Sequence, residues 1–141
     1  NLPKVIAELV EKQNDFDSAA YTKCFTETAV VFDESKTHNG RVEIEQWIDK
    51  SNKEYNATME PLDYDEKENM LSAEISGSFP GSPVILKFHF QLSNGLIQLL
   101  NRILNNLIQK KLRYLLQLFF ISKVFKIPLA MYHTSPSKSK E

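Results

Sequence analysis

With a single cysteine, Cys24, in 141 residues, the chain cannot close an internal disulfide, so its stability must come from a buried core. Cys24 lies in a helical stretch among Ala20, Tyr21 and Phe25, where it reads as a small buried hydrophobe rather than a reactive thiol. No glycine-rich phosphate loop and no Cys/His metal spacing occur, so neither a cofactor nor a metal is expected. Uninterrupted apolar runs fall short of the about 20 residues that a helical membrane span needs. The opening Asn1-Leu2-Pro3-Lys4 leads into a charged amphipathic segment instead of an apolar signal region, which points to a cytoplasmic setting. The missing initiator Met suggests a trimmed start, and the sequon Asn56-Ala57-Thr58 then reads as chance.

Acids are absent from one part of the chain. Residues 1–98 hold 17 acids and 9 bases, whereas residues 99–141 hold one acid, Glu141, and 8 bases. The expected division is a domain at 1–100, a basic amphipathic helical extension at 101–133 and a disordered polar tail at 134–141.

Within the domain, Val5, Ile6, Leu9 and Val10 recur at helical spacing, predicting a first helix from Pro3 to Gln13. Asp17 or Ser18 caps a short second helix through Ala19, Ala20, Tyr21 and Cys24, and a corner at Phe25–Thr28 leads into a strand, Ala29–Asp33. Glu34 to Gly40 is a polar turn ending in Asn39-Gly40. A third helix follows with Val42, Ile44, Trp47 and Ile48 as its apolar stripe. The period then changes. Strands are expected near 58–65, 69–79 and 83–92, with Leu71, Ala73, Ile75, Gly77 and Phe79, then Val84, Leu86, Phe88, Phe90 and Leu92, on one apolar face. A fourth begins near Leu96. Helices followed by strands give an α+β layer, a curved antiparallel sheet covered by three helices on its apolar side.

Asp33 is the strongest chemical lead. If Ala29 and Val31 face the core, the strand period places Asp33 on the same face, where a carboxylate needs a partner or a ligand. It is either a pocket base or a strand-end carboxylate bonded to backbone amides of the following turn. His38 could pair with it as an acid/base helper or stand solvated in the loop. His89 alternates outward and suits a subunit interface. An aromatic lining is expected from Phe16, Tyr21, Phe25 and Trp47, with Tyr55, Phe79, Phe88, Phe90 and the aliphatic Val31, though such residues also build plain core.

Several segments together carry a resemblance: Asn14-Asp15-Phe16-Asp17 between two helices, the run Phe25 to Glu34, the His38-Asn39-Gly40 turn, Ile44 to Trp47, Phe79 to Pro83 and Lys87-Phe88-His89-Phe90. Over roughly residues 2–98 the chain resembles the nuclear transport factor 2-like superfamily, more narrowly its bacterial SnoaL-like, ketosteroid-isomerase-like branch. The resemblance implies a cone enclosing an apolar pocket for a small apolar or amphipathic ligand, and a homodimer through the outer sheet face. In the steroid isomerases the base is an aspartate at the end of the strand after the second helix, and Asp33 matches it. Their oxyanion-donating tyrosine on the first helix has no counterpart around Ile6 to Leu9, and their protonated acid has none among Val84, Leu86, Phe88 and Phe90. One such donor is worth about 3–4 kcal/mol, so a base alone makes a poor isomerase. A proton-transfer isomerase, cyclase or hydratase and a non-catalytic binding or dimerisation module both stay open.

After Gln98 the chain departs from that pattern. Ile103, Leu104, Leu107, Ile108, Leu115, Leu118 and Phe119 fall on one helical face, predicting a helix to about Lys126 that Pro128 stops. Three origins fit: a helix packed on the domain or on a second subunit, a basic helix on an anionic membrane surface, or a coding frame slipped near codon 98. Nucleic-acid binding is not expected beside so acidic a domain.

Overall fold

The computed structural model describes residues 1–103 and the helix 106–125, in the latter with side chains only for 113–124. Contacts divide the chain into two units, Asn1–Leu104 and Asn105–Glu141. The expected polar tail at 134–141 lies outside the described residues.

In the first unit, α1 (Lys4–Asn14) buries Val5, Ile6, Leu9 and Val10, and also Gln13. The short α2 (Ser18–Lys23) is capped by Asp17, whose carboxylate accepts from the Ala20 N–H at 3.0 Å. Strand β1 (Phe25–Asp33) starts earlier than expected: Phe25–Thr28 is strand, not corner. Its inward residues Phe25, Ala29 and Val31 are fully buried.

The polar segment after β1 is a hairpin. A two-residue connection, Glu34-Ser35, leads into β2 (Lys36–Asn39), and Asp33 pairs with Lys36. Glu34 takes the positive φ of 56° that the turn needs, while Asn39 stays extended and Gly40, at 77°, opens α3 (Gly40–Tyr55). The positive-φ signal thus starts a helix there.

Along α3 the residues Ile44, Ile48 and Asn52 recur every fourth position and are buried, with Trp47 beside them. Val42, expected in that stripe, is 71% exposed, because its position is two residues and about 200° around the helix from Ile44. The helix ends at Asn56 in the left-handed region.

Strands β3 (Thr58–Asp65), β4 (Met70–Ser76), β5 (Val84–Ser93) and β6 (Leu96–Ile103) complete a six-stranded sheet in the order β2-β1-β6-β5-β4-β3. All ladders are antiparallel except that between β1 and β6, which is parallel, so the sheet is mixed. Leu71, Ala73, Ile75, Leu86, Phe88 and Phe90 face inward with the buried residues of α1 and α3, as the alternation requires. The last strand runs through Ile103, and Leu100 within it is fully buried.

The second unit contains α4 (Asn106–Phe125), on which Lys123 Nζ lies 5.5 Å over the Phe119 ring, one turn away. Among the described residues no helix is long and apolar enough to cross a membrane.

Candidate functional site

Asp33 ends β1 and its register partner on the parallel neighbour is Arg102 of β6. Both side chains point to the concave, helix-covered side, since each lies two residues beyond a fully buried one, Val31 and Leu100. Arg102 Nη1 stands 3.4 Å from Asp33 Oδ1, and Trp47 Nε1–H donates to Asp33 Oδ2 at 3.1 Å. The two charged side chains are 26% and 23% exposed, Arg102 first. Among the described bonds, no backbone amide of the following turn donates to the Asp33 carboxylate; its partners come from α3 and β6 instead.

The guanidinium carbon of Arg102 lies 5.7 Å from the Trp47 ring centre and 5.9 Å from that of Phe88, within cation–π reach of both. His38, on β2, stacks on Trp47 with centroids 5.2 Å apart and an interplanar angle of 23°. It therefore meets Asp33 through the indole that Asp33 holds, without a direct hydrogen bond between them. Burial keeps the His38 imidazole below its ordinary pKa, although the Asp33 and Glu43 charges pull the other way. His38 Nε2 and Arg102 Nε are buried and have no hydrogen-bond partner among the described residues.

Beside this group is a cavity of about 50 Å³, lined by Gln13 and Tyr21 below, Trp47, Ile48 and Ser51 from α3, Ala57, Thr58 and Met59 entering β3, and Ile75, Phe88 and Arg102 from the sheet. It is far smaller than the about 300–1,000 Å³ typical of drug-sized ligand sites. Arg102 is its one charged lining residue.

Of the side chains expected to line a pocket, Tyr21, Trp47 and Phe88 do so. Phe25, Val31 and Phe90 are fully buried core instead. Tyr55 and Phe79 pack on each other edge-on, 6.2 Å apart, away from the cavity. Phe16 is 41% exposed, because its positive φ of 54° turns it outward in the loop between α1 and α2. Arg102 was not anticipated. Its only sequence signal is a basic residue in an apolar run after a hairpin turn, two places past the buried Leu100.

Gln13, which lines the cavity, belongs to a buried polar network with Asn52. Gln13 Nε2 donates to Asn52 Oδ1 at 3.0 Å and to the Ala57 carbonyl at 2.8 Å, and Asn52 Nδ2 donates to Ser18 Oγ at 3.1 Å. These bonds tie α1, α2 and α3 to the start of β3 and satisfy buried groups that would otherwise be costly. No group of three His, Cys, Asp or Glu among the described residues could hold a metal ion.

No family model and no curated protein sequence matches the chain. Solved structures do. A candidate polyketide cyclase from Sinorhizobium meliloti is 33% identical over 72% of this chain and 95% of its own, with a TM-score of 0.68. The chain belongs to the SnoaL-like branch of the nuclear transport factor 2-like superfamily. Two more distant neighbours show the shared fold alone. A Catenulispora acidiphila protein with a ketosteroid-isomerase-like fold, solved with trimethylamine, is 14% identical over 75% of this chain and 88% of its own, TM-score 0.65. The epoxide hydrolase/cyclase-like enzyme SalBIII, of pyran ring formation in salinomycin, is 21% identical over 71% and 87%, TM-score 0.53.

Proposed function

We propose that this SnoaL-like domain binds a small apolar or amphipathic molecule in the cavity beside Trp47 and Phe88, where the ligand's polar end meets Arg102. The observation that carries this reading is the guanidinium lining an otherwise uncharged cavity between two aromatic rings. Trp47 is the only tryptophan, so ligand entry is read directly in its emission. Titration of the full chain with a panel of small amphipathic molecules should give at least one saturable change, lost in Ser51→Phe, which fills the cavity from α3. A panel with no saturable response rejects the proposal.

The second reading is proton transfer, with Asp33 as base and His38 tuning the indole that holds it. It is favoured by the likeness to a candidate polyketide cyclase. Arg102 then offers the donor that the first helix lacks, a contribution of about 3–4 kcal/mol if aimed at a developing oxyanion. Asp33→Asn would abolish turnover of any substrate found, and unchanged turnover would retire the base.

A homodimer through the outer sheet face belongs to the same reading. The register aligns Phe32 and His89 across Asn101, and Ile85 shares their face at 55% exposure. Ile85→Glu should then lower the sedimentation-derived mass of the wild type to that of a monomer. A cytoplasmic setting fits the buried, unbridged Cys24 thiol, which burial pushes up to about 11 and so keeps protonated.

A further inference from the structure

We infer that the cavity takes a short-chain carboxylate, held by the Arg102 guanidinium and the Tyr21 hydroxyl, with its hydrocarbon end against Met59 and Ile75. This rests on the binding role proposed above and names the ligand class.

Tyr21 lines the same cavity as Arg102 and is only 4% exposed. A carboxylate bound there would accept from its hydroxyl. Its ring is fixed by contacts with Phe25 at 5.6 Å and Trp47 at 6.5 Å, so the phenol is pre-positioned rather than free to swing to solvent. Burial raises its pKa and the Arg102 charge acts against that rise; the phenol therefore enters as a proton donor.

Arg102 is under-used. Among the described residues its one ion-pair contact, at 3.4 Å, is longer than the about 2.7–2.9 Å of a charge-assisted hydrogen bond, and Nε has no acceptor. A planar guanidinium carries five N–H donors, and a second carboxylate fits its remaining edge bidentately. Asp33 competes for the same cation while also fixing where it lies. Of the other walls, Ile48, Met59, Ile75 and Phe88 are apolar and suit a hydrocarbon end, while Gln13, Ser51 and Thr58 add uncharged polar groups, so Arg102 remains the one charged group a ligand meets. The volume admits only a few heavy atoms, which suits a short chain and excludes a polycyclic one.

The test uses the intact chain and its indole N–H resonance. Acetate, propionate and butyrate are titrated against acetamide, propionamide and butyramide at constant pH and ionic strength. Saturable carboxylate shifts at least about ten-fold tighter than the matching amides support the inference, ten-fold being the step that one charge-assisted bond readily exceeds. Arg102→Gln should remove that preference, and Tyr21→Phe, which keeps the ring packing if the first variant does not fold, should weaken carboxylates several-fold while sparing amides. Asp33→Asn, relieving the competition, should tighten carboxylates. Amides binding as well as carboxylates would overturn the carboxylate assignment and leave the binding role standing. No shift from either series overturns the assignment, while a saturable response to another small amphipath in the earlier titration would still uphold that role.

Discussion

Asp33 and Arg102 face one another in register across the parallel ladder between β1 and β6, with Nη1 3.4 Å from Oδ1. The ladder joins the two strands most distant in sequence that touch in the sheet, so the pair reports on closure of the whole first unit. At 3.4 Å the contact is an ion pair rather than a short hydrogen bond, and such a pair contributes about 0.2–1 kcal/mol. Arg102→Met should lower stability by that amount in chemical unfolding. The double change with Asp33→Asn should cost less than the two single losses added, since the second removes a carboxylate already left without its cation. Strict additivity would show that the two groups do not interact.

His38 makes stability depend on pH. Its folded pKa lies below the ordinary 6.5 because burial disfavours the imidazolium. The unfolded chain therefore binds the proton more readily, and stability is full above about pH 6.5 and falls as the pH drops through that value toward the folded pKa. Asp33 and Glu43 soften the effect, while Lys36 and Arg102 reinforce it. Urea midpoints measured from neutral to mildly acid pH should decline in the wild type and decline less in His38→Gln. Parallel profiles would remove His38 as the source.

Asn14 acts as a clamp on the first sheet residues after α3. Its Nδ2 donates to the Met59 carbonyl at 2.9 Å and its Oδ1 accepts the Met59 N–H at 2.7 Å, so one amide side chain closes both backbone groups of an edge-strand residue. Asn14→Ala leaves both groups unsatisfied by protein and should cost about 1–3 kcal/mol. Hydrogen exchange at the Met59 amide is the sensitive readout. Unchanged protection there would mean that water or β4 replaces the clamp.

The alternation in β4 and β5 was legible because a period of two is a local property: Leu71, Ala73, Ile75, Leu86, Phe88 and Phe90 are buried as it marks them, while Val84 is only partly buried and Leu92, at the strand's end, is exposed. Asp33 was legible for the same reason. Arg102 was hidden by a long-range fact: only the parallel pairing of β1 with β6 brings it to Asp33, and no local spacing encodes which strands will lie side by side. Phe16 and Val42 misled because apolar character was read without the backbone dihedral of the first or the helical angle of the second. How much of the cone stays empty depends on how bulky side chains from distant elements interlock, which composition does not express.

Gly77 and Gly95 separate two reasons for a glycine. At Gly77 an added Cβ would stand 2.6 Å from the Tyr55 carbonyl oxygen, 3.1 Å from Ala57 Cα and 3.2 Å from Phe79 Cδ1, so the end of α3 and the end of β4 pack backbone to backbone. Two of those atoms are main chain and cannot step aside cheaply. Gly95 has nothing within 4 Å but sits at a φ of +76°, in the Asn94-Gly95 turn that joins β5 to β6. Gly77→Ala should cost about 1–3 kcal/mol through overpacking, and Gly77→Asn more, since a larger side chain meets the same backbone. Gly95→Ala should cost about 1–2 kcal/mol through the left-handed conformation, and Gly95→Asn less, because asparagine tolerates that region. Thermal unfolding of the four variants tests the pattern: the order of Ala and Asn must reverse between the two sites, and the same order at both would mean that steric space and backbone angle are not the separate causes assigned to them.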